Sequence, residues 1–344
     1  MNKSRKKIIL ITSLTLVSGL IAYITEAILN HLFELSMAAH DYGRSSILQR
    51  TVGYIAYILK PFDYRLSGES YLGRALHKLY INADYLHGFV WLLWGLLLLG
   101  LILFIAKKDR KVGPLRFVYG TYFFFHIFYV LDYIIYEASL PYKVTDDYTM
   151  PRAPLYAIAL VLVVNIGWAY ISVKMLNELK NYTRLKIKKR EEGGAVIEEF
   201  DVTPKWQRYL HALTDGLLAY LLWLTIMQSF IGIFMRGDGY KNFEDKKMII
   251  WVTMFGSFFI IRVVYYLLFE GIWGATPGKF LTGSTIRDEK GERVPFRIIA
   301  YRTVWRFIPF DNISFFWWRG WHDRYSDTWV CKEEMIDESA ESGI

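Results

Sequence analysis

Six stretches of roughly twenty mostly apolar residues punctuate the chain: Ile8–Leu29, Gly88–Ala106, Phe117–Tyr136, Leu155–Val173, Tyr209–Phe234 and Met248–Phe269. A helix of about 20 such residues crosses a hydrocarbon core about 30 Å thick. A helix on a soluble protein would interrupt such a run with polar side chains every turn or two. The pattern predicts an all-α polytopic membrane protein with about six transmembrane helices. Two apolar stretches fit less simply. Thr51–Leu59 is too short to span and predicts an amphipathic helix in the outer interface, within a long loop over 30–87. Phe296–Trp318 is broken by Arg297, Arg302, Arg306, Pro309 and Asp311. Spanning would bury several arginines at about 2.5 kcal/mol or more each. A helix on the cytoplasmic interface is predicted instead, its arginines reaching headgroup phosphates and Trp305, Trp317, Trp318 and Trp321 at headgroup depth.

The polar segments set orientation and boundaries. Lys3, Arg5, Lys6 and Lys7 precede the first run, which is too long for a signal peptide and ends without an Ala-x-Ala site, so an uncleaved helix is expected. The N-terminal tail, the 107–116 loop and the 174–208 segment hold 4, 5 and 9 Lys or Arg residues, against 2 and 4 in 139–153 and 236–247. If the spans alternate, the basic segments share one side, which the positive-inside rule makes cytoplasmic, with both termini there. The implied organisation is a four-helix membrane region over 1–180, a basic and acidic cytoplasmic linker over 181–204, a second membrane domain over 205–332 and an acidic tail over 333–344.

The formal net charge of +8 follows these loops rather than a compact, aromatic-interleaved groove, so the bilayer and not nucleic acid is the expected partner. Cys331 is the single cysteine and reads as an inert thiol, giving no sign of an oxidising compartment.

The second half carries ordered motifs. Arg208-Tyr-Leu-His-Ala-Leu-Thr-Asp215-Gly216 opens the fifth run. Phe269-Glu270 and Gly274-Ala-Thr276-Pro277-Gly278-Lys279 follow the sixth, then Ile286-Arg-Asp288-Glu-Lys-Gly291, Arg302 and Arg306. The close is Gly320-Trp-His322-Asp323-Arg324-Tyr-Ser-Asp327-Thr328-Trp-Val330. This series resembles the RDD family, named for an arginine and two aspartates. The resemblance implies a bacterial inner-membrane domain over about 205–332 with a small cytoplasmic hairpin near 282–296. Its apolar segment at Phe310–Trp318 is shorter than the family's, and residues 1–200 resemble no family.

Arg208 and Asp215 are seven residues apart, on one helix face but about 10.5 Å apart along the axis, too far for a direct pair. Asp215 lies inside an apolar run, so it needs a partner, backbone N–H groups or a wet cavity. The expectation is that Arg208, Asp215, Asp323 and Arg324 converge as the C-terminal loop folds back beneath the fifth and sixth helices. Thr276-Pro277-Gly278-Lys279 is expected as a turn at the membrane surface; Phe280 after the lysine departs from a phosphate-loop pattern. His126, Asp132, Asn165 and Arg262 are the other polar groups inside runs, while Glu26 and Glu270 fall near run ends, where interface placement is expected.

No nucleophile elbow, zinc-binding pair, dinucleotide loop or metal-spaced Cys/His cluster occurs in the sequence, so a non-enzyme without a cofactor is expected. Two functions remain open. One is transport of an ion or small solute, with Asp132, Asp215 and Arg262 along the path and a homo-oligomer as its form. The other is a membrane scaffold or assembly factor that engages a membrane partner.

Overall fold

The computed structural model describes residues 3–38, 58–59, 83–106, 112–138, 142–145, 148–150, 155–192, 195–234, 243–308, 311–314 and 319–336. Long helices dominate: α1 (Lys3–Ala38), α2 (Ala83–Ala106), α3 (Gly113–Ala138), α4 (Leu155–Lys180), α5 (Lys205–Phe234) and α6 (Phe243–Trp273). Between α3 and α4 lies a two-stranded ribbon, β1 (Tyr142–Thr145) with β2 (Tyr148–Met150). Strands β3 (Thr183–Leu185), β4 (Ile187–Glu192) and β5 (Ala195–Phe200) precede α5. After α6 come α7 (Pro277–Thr282), β6 (Ser284–Arg287), α8 (Phe296–Trp305), α9 (Asp311–Ser314), α10 (Trp321–Tyr325) and β7 (Trp329–Met335).

Among the described residues, four helices are long and apolar enough to cross a membrane, over Ser4–Thr25 of α1, Phe89–Ala106 of α2, Ile158–Lys180 of α4 and Trp251–Trp273 of α6. At most 33% of any of these windows is buried, so most of their apolar surface faces outward, with Leu10, Val163 and Phe255 among the projecting side chains. Such a surface is stable in lipid and not in water. The chain is a transmembrane protein. Helices α3 and α5 are of similar length. From Leu115 to Phe128 α3 is almost wholly buried, packed by α2, α4, α5 and α7.

A single apolar core joins the two halves of the chain. Phe123 and Phe124 of α3 meet Phe269 of α6 at 6.1 and 5.5 Å between ring centroids, and Phe123 meets Trp273 at 5.3 Å. At the N-terminus of α3, a Cβ on Gly113 would lie 2.6 Å from the Leu281 carbonyl oxygen, so α7 docks where only glycine allows it.

The helix ends fix which termini share a face of the bundle. Ser4 Oγ donates to Glu178 Oε2 at 2.8 Å, Lys7 pairs with Glu178, and Arg5 Nη2 donates to the Ile105 carbonyl at 3.2 Å. Trp273 Nε1 donates to Asn177 Oδ1 at 3.0 Å. The start of α1 and the ends of α2, α4 and α6 therefore lie together.

An antiparallel sheet of order β3-β7-β6 caps that end, with Thr183 opposite Met335 and Ile286 opposite Val330. The expected hairpin near 282–296 is corrected here: β6 pairs with the distant β7. Residues 288–292 form a turn in which Asp288 Oδ1 accepts the N–H groups of Lys290 and Glu292. The following residues carry Val294 into an apolar cluster with Ile286 and Ile299, and Pro295 has no N–H to give a ladder.

The 181–204 segment is folded. Its basic and acidic halves pair as a ribbon, with Lys188 opposite Glu199 and Lys189 opposite Glu198. Buried Asp201 receives Lys188 at 2.9 Å, and Lys186 and Lys332 at 3.6 Å. Burial raises the Asp201 carboxyl, but the three lysines outweigh it and hold it below the usual range. Glu333 and Glu334, assigned to the acidic tail, belong to β7. Of Thr51–Leu59 only 58–59 lie within the described residues, where the Ile58 carbonyl accepts from Trp168 Nε1 at 3.3 Å. Helix α1 itself continues to Ala38, into the segment taken as the outer loop.

For helix α8, the expectation of arginines reaching for headgroup phosphates is overturned for Arg302 and Arg306, while Arg297 is exposed. Arg302 and Arg306 are buried, while Phe296 (61% exposed), Tyr301 and Val304 (67%) face outward. Its polar face is turned inward because a cluster of buried carboxylates lies there. Trp305 stacks on Tyr325 at 3.9 Å; Trp317 and Trp318 lie outside the described residues.

Arg116 of α3 and Glu333 of β7 form an ion pair with side chains only 1% and 4% exposed. Removing one partner strands the other charge, so Arg116→Leu is expected to destabilise the detergent-solubilised protein by about 3–5 kcal/mol. Arg184→Ala, breaking the exposed pair with Glu334, is expected to change stability by at most about 1 kcal/mol. Chemical-denaturant unfolding of both variants checks the contrast.

Candidate functional site

At the capped end of the bundle, eight buried or nearly buried charged groups meet: Arg208, Asp215, Glu270, Lys279, Arg302, Arg306, Asp311 and Asp323. The last turns of α6 place Glu270 at the centre. Its Oε1 accepts from Lys279 Nζ at 2.5 Å and Arg306 Nη2 at 2.6 Å, and its Oε2 from Arg302 Nε at 3.3 Å. Arg302 extends the cluster, because its Nη1 donates to both Asp323 and Thr328. Asp323 also receives Arg208 Nη2. One guanidinium thus bridges two carboxylates, which its planar fork of donors suits.

Asp215 has a different set of partners. Tyr265 Oη and Thr276 Oγ1 donate to it at 2.6 Å each, and the Gly278 backbone N–H at 2.9 Å. Local sequence explains this arrangement. Pro277 opens α7, where a missing N–H costs no helical hydrogen bond. A Cβ at Gly278 would lie 2.8 Å from Asp215 Oδ1 and 3.0 Å from the His211 carbonyl, so only glycine brings the amide this close. The Thr276-Pro277-Gly278-Lys279 stretch is therefore the buried start of a helix rather than a turn at the membrane surface.

Asp311 holds His322, with Oδ2 2.6 Å from Nδ1 and Oδ1 accepting the His322 backbone N–H at 3.0 Å. Burial raises the Asp311 carboxyl. Burial and the neighbouring Arg302, Arg306, Arg208 and Lys279 push the His322 imidazole well below its usual range, so it is neutral and its Nδ1–H donates. Burial also pulls Lys279 down to about 8 and Arg302 to about 9, against the attraction of Glu270. For Arg306 burial lowers the value too, but Glu270 and its other neighbours outweigh that and leave it raised. Arg306 further stacks over Tyr266, 3.8 Å from the ring centroid. A small cavity of about 40 Å³ opens within the cluster.

Arg208, Asp323, Arg302, Arg306, His322 and Thr328 are brought together as the motif order implied. Arg324 is exposed, and Arg302 takes the place expected for it. Asp215 does not join the Arg208–Asp323 pair, and His211, one turn away, pairs with Thr282 of α7. Glu270, expected at the interface, is the most heavily paired carboxylate of the cluster. Its signal was available as a charge imbalance: Arg208, Lys279, Arg302 and Arg306 outnumber Asp215 and Asp323.

The Asp132 and Glu26 side chains lie outside the described residues. Arg262 lies against Phe307, Phe258 and Tyr266, 5.5–6.0 Å from their ring centroids. His126 Nδ1 and Asn165 Oδ1 form a separate pair at 2.8 Å.

Residues 202–326 match the sequence model of the RDD family. The C-terminal part of this chain is an RDD-family domain. The match covers Arg208, Asp215, Glu270 and Asp323, so the whole charge cluster except Thr328 falls within it. No curated protein and no solved structure matches the chain. The RDD domain is nevertheless not self-contained, since β3 and Arg116 from outside it pair with β7 just beyond its end.

Two outcomes follow for the RDD cluster. Asp323→Asn leaves Arg208 and Arg302 short of an anion and is expected to cost about 3–5 kcal/mol, whereas a double-mutant cycle with Arg208→Gln should give a combined loss smaller than the sum. Additive losses in denaturant titrations would show that the pair does not act directly. The second concerns pH. Because the His322 value is depressed in the fold, protons favour the unfolded chain: its contribution is present above the ordinary imidazole value of about 6.5 and lost below it, at up to about 1.4 kcal/mol per pH unit. Asp311 titrates in the opposite sense, so His322→Asn, which keeps an N–H donor, isolates the imidazole. Unfolding midpoints at pH 5.5 and 7.5 should differ less in His322→Asn than in the wild type.

Proposed function

We propose that the protein is a non-catalytic scaffold or assembly factor of the inner cell membrane, held in one conformation by its RDD domain. The observation that carries this reading is the saturation of the cluster's carboxylates. Glu270 takes three cationic donors, Asp323 two guanidinium groups and Asp215 three neutral donors. A carboxylate that passes ions must exchange partners readily, and one committed to three short hydrogen bonds is a lock.

On this reading α1 to α6 make six crossings, with both termini cytoplasmic. In support, the start of α1 and the ends of α2, α4 and α6 share one end of the bundle, beside the basic segments 3–7, 107–116 and 174–208. The partner-facing surface is the β4–β5 ribbon and the capping sheet, and the partner is a membrane protein or a second copy of the chain.

Transport of an ion or small solute is the second reading, favoured by the cavity lined by Asp215 and His211. Proteoliposome flux separates the two. The scaffold reading expects wild-type protein to add no sodium- or pH-driven flux over protein-free vesicles, and a mild-detergent pull-down of the full chain to retain a stoichiometric membrane protein. Flux in the wild type that disappears in a folded Asp215→Asn variant would establish transport instead.

A further inference from the structure

The cavity in the charge cluster has a wall of one sign. Arg208, Lys279, Arg302 and Arg306 line it, whereas Glu270, Asp311 and Asp323 do not. The one carboxylate in the wall is Asp215, and its oxygens already accept three donors. The eight charges balance overall, yet the cations converge inward while most of the anions stand behind them. Two donors are also left over. Arg302 Nη2 and Arg306 Nε are buried and, among the described residues, have no hydrogen-bond acceptor. Their side chains are 0% and 7% exposed. Buried guanidinium donors without acceptors are costly, and such groups call for an unseen ligand or water.

The size restricts the ligand. About 40 Å³ of water-accessible space holds roughly three waters, at about 10–15 Å³ each, which suits one small ion or headgroup moiety and excludes a nucleotide base or a sugar. Planar arginine forks favour oxyanions with several acceptor atoms over spherical halides. The neutral imidazole of His322 adds to the wall without adding negative charge. A headgroup phosphate and a free phosphate are both chemically suited to it.

We propose that this cavity is a binding site for a single phosphate-type oxyanion, held by Arg302 and Arg306 with Arg208 and Lys279 around it. The site does not depend on the scaffold reading, since a locked cluster and a transport protein could each hold a structural anion.

The test uses the full chain, purified and delipidated in a neutral detergent. Inorganic phosphate should raise the unfolding midpoint by about 2–4 °C at saturation, while chloride at equal ionic strength should not. Ala212 also lines the cavity and carries none of the charge, so Ala212→Leu should fill the space and abolish the shift. If the leucine variant does not fold, Ala212→Val provides a smaller plug, and equilibrium dialysis of radiolabelled phosphate against wild type should return one site per chain. The source is separated by a second arm. Wild type and the plugged variant are extracted from nanodiscs containing phosphatidylglycerol or only phosphatidylcholine and weighed by native mass spectrometry. Retention of one phosphatidylglycerol by wild type and its loss in the variant assigns the site to a headgroup, and the phosphate shift without retained lipid assigns it to the free ion. Equal shifts with phosphate and chloride and no retained lipid would overturn the site. So would a phosphate shift or lipid retention of full size in a folded plugged variant.

Discussion

The structure depends on neutralising Glu270 inside an apolar bundle. An ionised carboxylate removed from water without partners carries a penalty of several kcal/mol. Lys279 from α7 and Arg302 and Arg306 from α8 remove that penalty, and each must be delivered by a different turn of the chain. The requirement turns α8 inside out, Arg302 and Arg306 inward and Phe296, Tyr301 and Val304 outward. It also ties α8 to α10, since Arg302 reaches Asp323, and through Asp323 to Arg208 at the head of α5. Buried ion networks add little net stability compared with apolar packing, and they penalise every arrangement in which a partner is missing. Here that penalty fixes the register of five elements at one end of the bundle.

The same end makes the two halves of the chain a single body. Helix α3, from the half without a recognised family, is the buried post against which α7 of the RDD domain rests, with Gly113 at the Leu281 carbonyl and Arg116 over the Phe280 ring at 4.5 Å. Arg116 then pairs with Glu333 on β7, which is hydrogen-bonded on one side to β6 and on the other to β3. An aromatic seam of Phe123, Phe124, Phe269 and Trp273 continues the contact along the helices. The RDD domain in this protein therefore rests on a second membrane segment, and its charge cluster faces the sheet to which both halves contribute strands.

The saturation of the carboxylates and the cationic cavity wall are two consequences of one geometry. The arginines held by these carboxylates line one common cavity. A cluster can then be balanced in total and still present positive charge to a small ligand, because burial lowers the dielectric and makes the nearest charges count most.

Much was legible in the sequence for plain reasons. Long apolar runs must be helices in lipid, so the six helices α1 to α6 could be read from hydropathy, and the order of the arginine, aspartate and glycine motifs pointed to the RDD domain. The isolation of Asp215 in an apolar run required partners, and the structure supplies them. Three things escaped. Glu270 looked like an interface residue because its distance from a run end carries no information about what folds over it. Arg302 and Arg306 looked lipid-facing because a helix pattern gives the period of its polar face but not the direction. The partner of β6 was sought nearby, whereas β7 lies some forty residues on. Sequence by itself determined which segments are helical and which charges need compensation, since both follow from local hydropathy and the energetics of burial. Which charge meets which, and which way each face turns, was decided only by the tertiary structure, because those choices depend on distances between segments far apart along the chain.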